Sequence, residues 1–208
     1  IYKNGFLKIR APVVEFNLYI ALYYDLAVKY LKSCDCIIDM GCGTCHNLTL
    51  LGDQGFKAKL IASDWSKASG EIASEVSNSK EYNISFIQLN LKNIHNFKNI
   101  DSNGNLGVST CLSLEQVGES YTQYIDLMMK IKPKVIVNIE PIFEFYDHGI
   151  NVEKLASIYH QKRGYLSGYY STLKQLYSDG KINIIHEEKT LFGSHFHCPY
   201  SVIVWSPN

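Results

Sequence analysis

The residues with the clearest chemical meaning lie in one stretch, residues 36–47, which reads CIIDMGCGTCHN. Apolar residues run into Asp39 and then into a turn that contains Gly41 and Gly43. Glycine tolerates positive φ and lets a ligand approach the backbone closely. A buried strand, a glycine turn and a helix start form a cradle of nucleotide size at the carboxyl end of a parallel strand. This stretch therefore predicts the main ligand site.

Asp64 closes the next predicted strand, about 20 residues beyond the turn, where related nucleotide-binding folds place an acid against ribose. A carboxylate at this point can accept hydrogen bonds from both ribose hydroxyls. The alternative is that Asp64 only caps the following helix, which has Ser66 as a suitable N-cap residue. Position and spacing favour the ribose role.

The second half of the chain carries side chains that could act on a second substrate. Glu140 ends a predicted strand at the edge where ligands bind, and His160 and Arg163 are neighbours on one face of a predicted helix. Histidine is a base near pH 7, and arginine binds phosphate or carboxylate with two hydrogen bonds. Each of these residues also has an ordinary alternative: a surface histidine, a strand-end ion pair and a solvated helix face.

The connection before the last predicted strand holds His195 and His197, which face one side if the segment is extended. Together with Cys198 they lack a fourth metal ligand, and the cysteine spacing around residues 34–36 and 42–45 differs from paired C-x2-C knuckles. We therefore predict that no metal is bound.

Strands and helices must alternate to bring these side chains together. Strands are predicted at residues 36–40, 59–63, 85–89, 106–112, 135–139, 182–186 and 201–205, and helices at 16–31, from about 47, 66–77, 121–131, 152–159 and 165–176. The pattern predicts an α/β fold, a Rossmann-like three-layer sandwich with a mostly parallel seven-stranded sheet and an antiparallel edge at its C-terminal strand.

Composition argues against several other classes of protein. The chain has 208 residues, 46% of them hydrophobic, enough for one domain. Lys plus Arg and Asp plus Glu are both 20, so the neutral chain lacks the basic surface of a nucleic-acid-binding protein. No apolar run approaches the ~20 residues of a membrane span. Six cysteines without a disulfide framework predict a cytoplasmic protein. The first residue, Ile1, is consistent with a domain cut from a longer chain.

Four short segments resemble one family. Residues 39–44 (DMGCGT) are similar to the first motif of the class I S-adenosylmethionine-dependent methyltransferases, and residues 64–66 (DWS) resemble their acid motif after strand two. Residues 89–91 (LNL) fall where members of the family contact adenine after strand three. Residues 113–116 (SLEQ) resemble the Ser-Leu-Glu-His segment that follows strand four in small-molecule members. Three positions depart from the pattern: Cys45 replaces the third glycine, Asn90 replaces an acid, and Gln116 replaces a histidine.

The resemblance implies a single methyltransferase domain with a helical cap (1–34), a cofactor half (35–140) and an acceptor half (141–208). The cofactor, S-adenosylmethionine, would be bound by Asp39, Gly41, Cys42, Gly43, Asp64, Trp65, Asn90, Leu91, Leu112 and Ser113. Asp64 would hold the ribose, Trp65 would pack near the adenine, and Asn90 would bond its edge.

The predicted acceptor is a small polar metabolite, with O-methylation of a hydroxyl, on a sugar or a nucleotide-linked sugar, as the favoured reaction. The candidate catalytic residues are His160, His195, Glu140 and Glu115, and the candidate substrate-binding residues are Arg163, Tyr165, His197 and Tyr146. Two alternatives stay open, a nicotinamide-dependent oxidoreductase and a non-catalytic cofactor-binding domain of a larger assembly.

Overall fold

The helices and strands alternate along the chain much as the sequence predicts. A computed structural model describes residues 1–3, 5–7, 12–94, 105–194 and 199–208. Its strands are β1 Tyr2–Lys3, β2 Phe6–Leu7, β3 Cys36–Met40, β4 Lys59–Asp64, β5 Ile84–Gln88, β6 Leu106–Cys111, β7 Val135–Glu140, β8 Ile182–Lys189, β9 Phe192–Gly193 and β10 Ser201–Pro207. Its α-helices are α1 Pro12–Leu26, α2 His46–Asp53, α3 Lys67–Lys80, α4 Tyr121–Ile131, α5 Asn151–Arg163 and α6 Tyr169–Ser178.

Seven strands form the main sheet, in the order β5-β4-β3-β6-β7-β10-β8. The first five pair in parallel, and β10 lies antiparallel between β7 and β8. This confirms the predicted fold class, including the antiparallel C-terminal strand. Because parallel strands end at the same edge of a sheet, the glycine turn after β3 meets the ends of β4 and β6 there.

Helices cover both faces of the sheet and so produce the predicted three layers. One core packs the first helices of the chain against one face; it includes Tyr23, Leu31, Leu48, Ala73, Val137 and Val204. The other core packs α4 and α6 against the opposite face; it includes Tyr124, Met128, Leu173, Ile136 and Trp205. Alternate residues of β7 therefore face opposite layers, as expected for a central strand buried on both sides.

Asn138 of β7 organises the second core through a fully satisfied amide. Its Nδ2 donates to Thr110 Oγ1 (2.9 Å) and Tyr124 Oη (3.1 Å), and its Oδ1 accepts from Tyr169 Oη (2.8 Å) and Trp205 Nε1 (2.9 Å). A buried amide is stable only when its hydrogen bonds are made. These bonds hold β6, α4, α6 and β10 around the middle of β7.

The predicted helix at residues 165–176 is wrong at its start. Helix α5 continues to Arg163, and α6 begins only at Tyr169. Gly164 (φ +61°) and Gly168 (φ +85°) adopt left-handed conformations that end one helix and precede the next. Tyr165 therefore lies in a short link between helices.

Two further features complete the fold. Strands β2, β1 and β9 form a small second sheet that the sequence does not predict. Residues 27–31 continue α1 as a single π-helical turn. Among the described residues, no helix is both long and apolar enough to cross a membrane.

Candidate functional site

A cavity of about 780 Å³ opens at the carboxyl ends of β3, β4 and β6. Every predicted cofactor-binding residue except Asp39 lines it: Gly41, Cys42, Gly43, Asp64, Trp65, Asn90, Leu91, Leu112 and Ser113. The volume falls in the range typical of small-molecule sites, about 300–1,000 Å³. The structure thus brings together residues that are up to 72 positions apart in the sequence, counting from Gly41 to Ser113.

The glycine turn has the left-handed backbone that its sequence predicts. Gly41 and Gly43 have φ of +84° and +51°. Cys45, at the third position of the pattern, keeps the same handedness at φ +61° although it is not glycine. A side chain costs roughly 1–2 kcal/mol in this conformation. The turn therefore keeps its shape at Cys45 at the cost of local strain.

Asp64 lies at the end of β4 with its carboxylate held in place by the two loops beside it. Oδ2 accepts the Gly43 N–H at 3.0 Å, and Oδ1 accepts the Ser66 N–H at 2.9 Å. Each carboxylate oxygen keeps a further lone pair. Ser66 is at the N-cap position of α3, but its side chain makes no cap hydrogen bond. Asp64 therefore supports the helix start and can still accept hydrogen bonds from a ligand in the cavity.

Asn90 and Trp65 border the same end of the cavity. The Asn90 Oδ1 accepts the Lys92 N–H at 2.9 Å, which fixes the amide plane and leaves a second lone pair on the oxygen. Trp65 is 71% exposed, an unusual position for a large aromatic side chain. An exposed ring beside an open cavity is available to cover a flat ligand.

Asp39 is buried behind the turn and supports it without facing the cavity. Its oxygens accept hydrogen bonds from Ser109 Oγ (2.7 Å) and Asn47 Nδ2 (3.1 Å), and Tyr19 Oη donates to Asn47 Oδ1 (2.9 Å). Burial raises the pKa of Asp39 to about 6. Asp39 thus connects β3 to β6, to α2 and, through Asn47, to α1.

Glu140 is fully buried and binds the backbone of the loop after β6. Its Oε1 accepts the N–H groups of Ser113 (3.3 Å) and Leu114 (3.1 Å), and its Oε2 accepts that of Glu115 (3.2 Å). Burial, followed by the nearby Glu115, raises the pKa of Glu140 to about 8. Neither Glu140 nor Glu115 is among the described residues that line the cavity.

Ser113 joins this loop to the glycine turn. Its hydroxyl donates to the Met40 carbonyl at 2.7 Å. A Cβ on Gly41 would lie 2.2 Å from the Ser113 Cβ, so only glycine fits at position 41. Leu112, just before it, has φ +54°, a strained conformation for a branched residue at the cavity wall.

The opposite end of the cavity is lined by residues to which the sequence analysis gave no individual role. These are Glu15, Phe16, Tyr19, His46, Asn47, Cys111 and Tyr200. The Tyr200 hydroxyl donates to the Glu15 carboxylate, and burial followed by this contact raises the pKa of Tyr200. His46 and Asn47 follow the glycine turn directly in the sequence, and this position could have identified them as cavity residues. Helix α1 carries no motif that would place it here.

His46 is enclosed by two aromatic rings, with Phe16 and Tyr19 each at a centroid distance of 5.7 Å. Its Nδ1 lies 3.3 Å from Thr44 Oγ1. Its Nε2 is buried and has no hydrogen-bond partner within the described part of the chain. Burial lowers the pKa of His46, so the ring is neutral near pH 7. A neutral imidazole of this kind can accept a proton.

Four of the predicted acceptor residues lie together but away from the described lining of the cavity. His160 is buried between Tyr146 and Tyr165, with ring centroids 5.3 and 5.2 Å away. Arg163 is on the surface, where it stacks over Tyr165 at 5.4 Å. This cluster packs α5 against the link to α6. The predicted roles of His195 and His197 concern positions outside the described residues.

Comparison with known proteins shows what the fold resembles. Neither a scan against protein-family models nor a search of curated proteins finds a match. A search of solved structures matches magnesium protoporphyrin IX methyltransferase (ChlM) from Synechocystis PCC 6803 with bound SAH, at a TM-score of 0.63 and 15% identity, covering 98% of this chain and 90% of that one.

Two further matches are methyltransferases. The methyltransferase domain of bacterial CtHen1-CN matches at a TM-score of 0.61 and 18% identity, covering 91% of this chain and 98% of that one. The plantazolicin methyltransferase BpumL, in complex with a triazolic desmethylPZN analog and SAH, matches at 0.59 and 14%, covering 96% and 86%. The chain therefore has the fold of the class I S-adenosylmethionine-dependent methyltransferases.

The close approach at Gly41 leads to a stability prediction. We expect Gly41→Ala to lower the free energy of unfolding by about 3 kcal/mol, because it combines left-handed strain with an overpacked contact to Ser113. Gly55→Ala is the matched control, since Gly55 has φ +72° with nothing within 4 Å of an added Cβ. It should cost about 1 kcal/mol. Equal losses in urea unfolding of the two variants would contradict the packing argument.

The buried Glu140 leads to a pH prediction. Its folded-state pKa of about 8 exceeds its usual 4.5, so the folded protein keeps a proton that the unfolded chain releases. The free energy of unfolding should therefore fall by about 1 kcal/mol per pH unit between roughly pH 6 and 7.5. Glu140→Gln should flatten this slope, whereas Glu119→Gln, on the exposed side of the same loop, should not. Identical slopes for wild type and Glu140→Gln in urea titrations would refute it.

Proposed function

We propose that this protein transfers a methyl group from S-adenosylmethionine to a small polar acceptor. The observation that carries the proposal is the convergence of Gly41, Gly43, Asp64, Asn90 and Ser113 on one cavity of the methyltransferase fold. When bound, the donor supplies a methyl group activated by positive sulfur. The protein has to align donor and acceptor and to remove a proton when the acceptor is a hydroxyl.

The residues present fit this donor. Asp64 lines the cavity with lone pairs available for the ribose hydroxyls. Trp65 and Asn90 line the part of the cavity where the flat adenine would lie. Two carboxylates, Glu15 and Asp64, and one ammonium, Lys92, occur in the described lining. The resulting negative balance favours a cationic sulfonium over the anionic pyrophosphate of a dinucleotide.

Position 46 also argues against a nicotinamide-dependent oxidoreductase. In the pattern G-x-G-x-x-G, the last glycine permits close packing of helix on strand. Here His46 occupies that place, and its ring packs against Phe16 and Tyr19. The side chain takes up space beside the turn that a dinucleotide-binding loop keeps free.

We further propose a hydroxyl acceptor that enters beside α1, with His46 as general base. His46 has a neutral ring with a buried Nε2, and Tyr19 and Tyr200 line the same cavity. Glu15, joined to Tyr200, can orient the polar end of the acceptor. Gln116 also lines the cavity, but its amide donates to the Leu112 carbonyl at 3.2 Å and cannot serve as a base.

The remaining parts of the proposal concern the setting of the reaction. We take the chain as one methyltransferase domain that acts in a reducing, cytoplasmic environment on a small molecule, and not on nucleic acid. The neutral net charge supports the choice of substrate. The five cysteines found as free thiols in the described chain support the choice of compartment.

Donor binding is the direct test. S-adenosylhomocysteine (SAH) at 100 times its Kd should stabilise the protein by about 2.7 kcal/mol in thermal unfolding, and NADH should produce no shift. Asp64→Asn should weaken SAH binding by at least tenfold in calorimetry, because it removes the charge that accepts the ribose hydroxyls. Asp126→Asn, on the exposed side of α4, is the matched control. A shift with NADH and none with SAH would overturn the proposal.

The assignment of His46 has its own test, with SAM consumption measured across a panel of hydroxylated metabolites. We expect His46→Gln to lower kcat by about 100-fold or more and to abolish the loss of rate seen as pH falls through the His46 pKa. His148→Gln, at an exposed turn, should leave both unchanged. Turnover that survives in His46→Gln but disappears in His160→Gln, with SAH binding intact, would place the base in the α5 cluster instead.

A further inference from the structure

Two cysteines flank Gly43 and Thr44 in the glycine turn, and the proposed methyl transfer gives their thiols no chemical task. The Sγ atoms of Cys42 and Cys45 lie 3.7 Å apart. The Cys45 N–H donates to the Cys42 carbonyl at 2.8 Å, which closes a turn between them. Such a turn keeps its first and fourth Cα atoms within about 7 Å, and disulfides join Cα atoms about 4.4–6.8 Å apart. The backbone is therefore already close to the spacing that a disulfide requires.

The two thiols also form one coupled unit. Cys45 is fully buried and is the N-cap residue of α2, where the helix dipole favours a thiolate. The hydrogen bond between the two sulfurs lowers the pKa of the Cys45 thiol, because the proton that remains is shared. The same hydrogen bond raises the pKa of the Cys42 thiol. Loss of a single proton thus leaves the negative charge on the Cys45 sulfur, with the Cys42 thiol beside it.

The cavity gives an oxidant access to one of the pair. Cys42 is among the residues that line the cavity and is 3% exposed, whereas Cys45 is fully buried and is not in the described lining. A ligand bound against the glycine turn would cover Cys42. A small oxidant therefore reaches the pair through Cys42, and only when that wall of the cavity is uncovered.

We propose that Cys42 and Cys45 form a reversible disulfide with hydrogen peroxide and that this bond weakens binding of the methyl donor. In the first step the Cys42 thiol passes its proton across the hydrogen bond to the Cys45 thiolate, and the Cys42 sulfur attacks peroxide, which gives a sulfenic acid on Cys42 and hydroxide. The hydroxide takes up the proton that the pair had lost. In the second step the Cys45 thiol attacks the sulfenic sulfur, the disulfide forms and water leaves. Two thiols are oxidised, and one peroxide is reduced to two waters.

The disulfide acts on the donor site through Gly43. A disulfide requires its sulfurs at about 2.05 Å, so they must approach by roughly 1.7 Å from their present separation. The bond constrains the short loop between the two cysteines, which carries the Gly43 N–H that holds the Asp64 carboxylate at 3.0 Å. This regulatory role rests on the proposed function for the identity of the ligand, while the bond itself does not.

The experiment treats the reduced protein with hydrogen peroxide and follows two readouts. Peptide mass mapping should show the loss of two hydrogens within the peptide that contains residues 42–45. Calorimetry should show SAH binding weakened at least tenfold, with recovery after a thiol reductant. SAH added before peroxide should slow formation of the bond, because binding and oxidation oppose each other.

Variants separate the pair from the other cysteines. In Cys45→Ser, SAH affinity should be the same with and without peroxide, whatever its starting value; Cys34→Ser should lose affinity on oxidation as wild type does.

The wild-type readouts decide the proposal even if a variant fails to fold. Peroxide treatment that produces no 42–45 disulfide in a protein that binds SAH overturns the redox pair alone. A 42–45 disulfide that leaves SAH affinity unchanged overturns the regulatory role. Reduced protein that binds no SAH overturns the proposed function and the control of donor binding with it.

Discussion

Ser113 fixes the ends of three neighbouring strands relative to one another, and the whole site depends on this connection. Its hydroxyl donates to the Met40 carbonyl at the end of β3, and its N–H donates to Glu140 at the end of β7, while Ser113 itself follows β6. With the Gly41 backbone packed against its Cβ, Ser113 leaves the glycine turn little freedom. The turn is therefore held in shape by the protein before any ligand contributes, which lowers the entropic cost of binding.

The three carboxylates near this connection differ in role because they differ in burial. Asp39 and Glu140 are surrounded by hydroxyl, amide and backbone donors, and burial raises the pKa of both. A buried carboxylate without a cation is costly when charged, so these two act as polar supports for loops. Asp64 is also held by backbone N–H groups, but it reaches the cavity. Only Asp64 among the three is therefore placed to act on a ligand directly.

The sequence predicted which residues come together at the glycine-turn end of the cavity, because their determinants are local. A strand, a glycine turn and a spaced acid each leave a short pattern, and the strand order then places them together. It predicted the other end poorly because Glu15 and Tyr200 lie 185 positions apart, and their contact depends on how α1 packs across the sheet. His160 shows a different limit: the run of polar residues around it suggested a site, whereas its burial between Tyr146 and Tyr165 depends on how α5 packs.

The two ends of the cavity share one support. Tyr19 lines the α1 end and donates to Asn47, whose amide donates to Asp39, and Asp39 also accepts from Ser109. Helix α1 is thus positioned by the same buried residues that support the glycine turn. Buried hydrogen bonds of this kind are expensive to break, because each loss leaves a polar group unsatisfied. The glycine turn and Tyr19 are therefore held by one set of buried hydrogen bonds, which runs through Asn47 and Asp39.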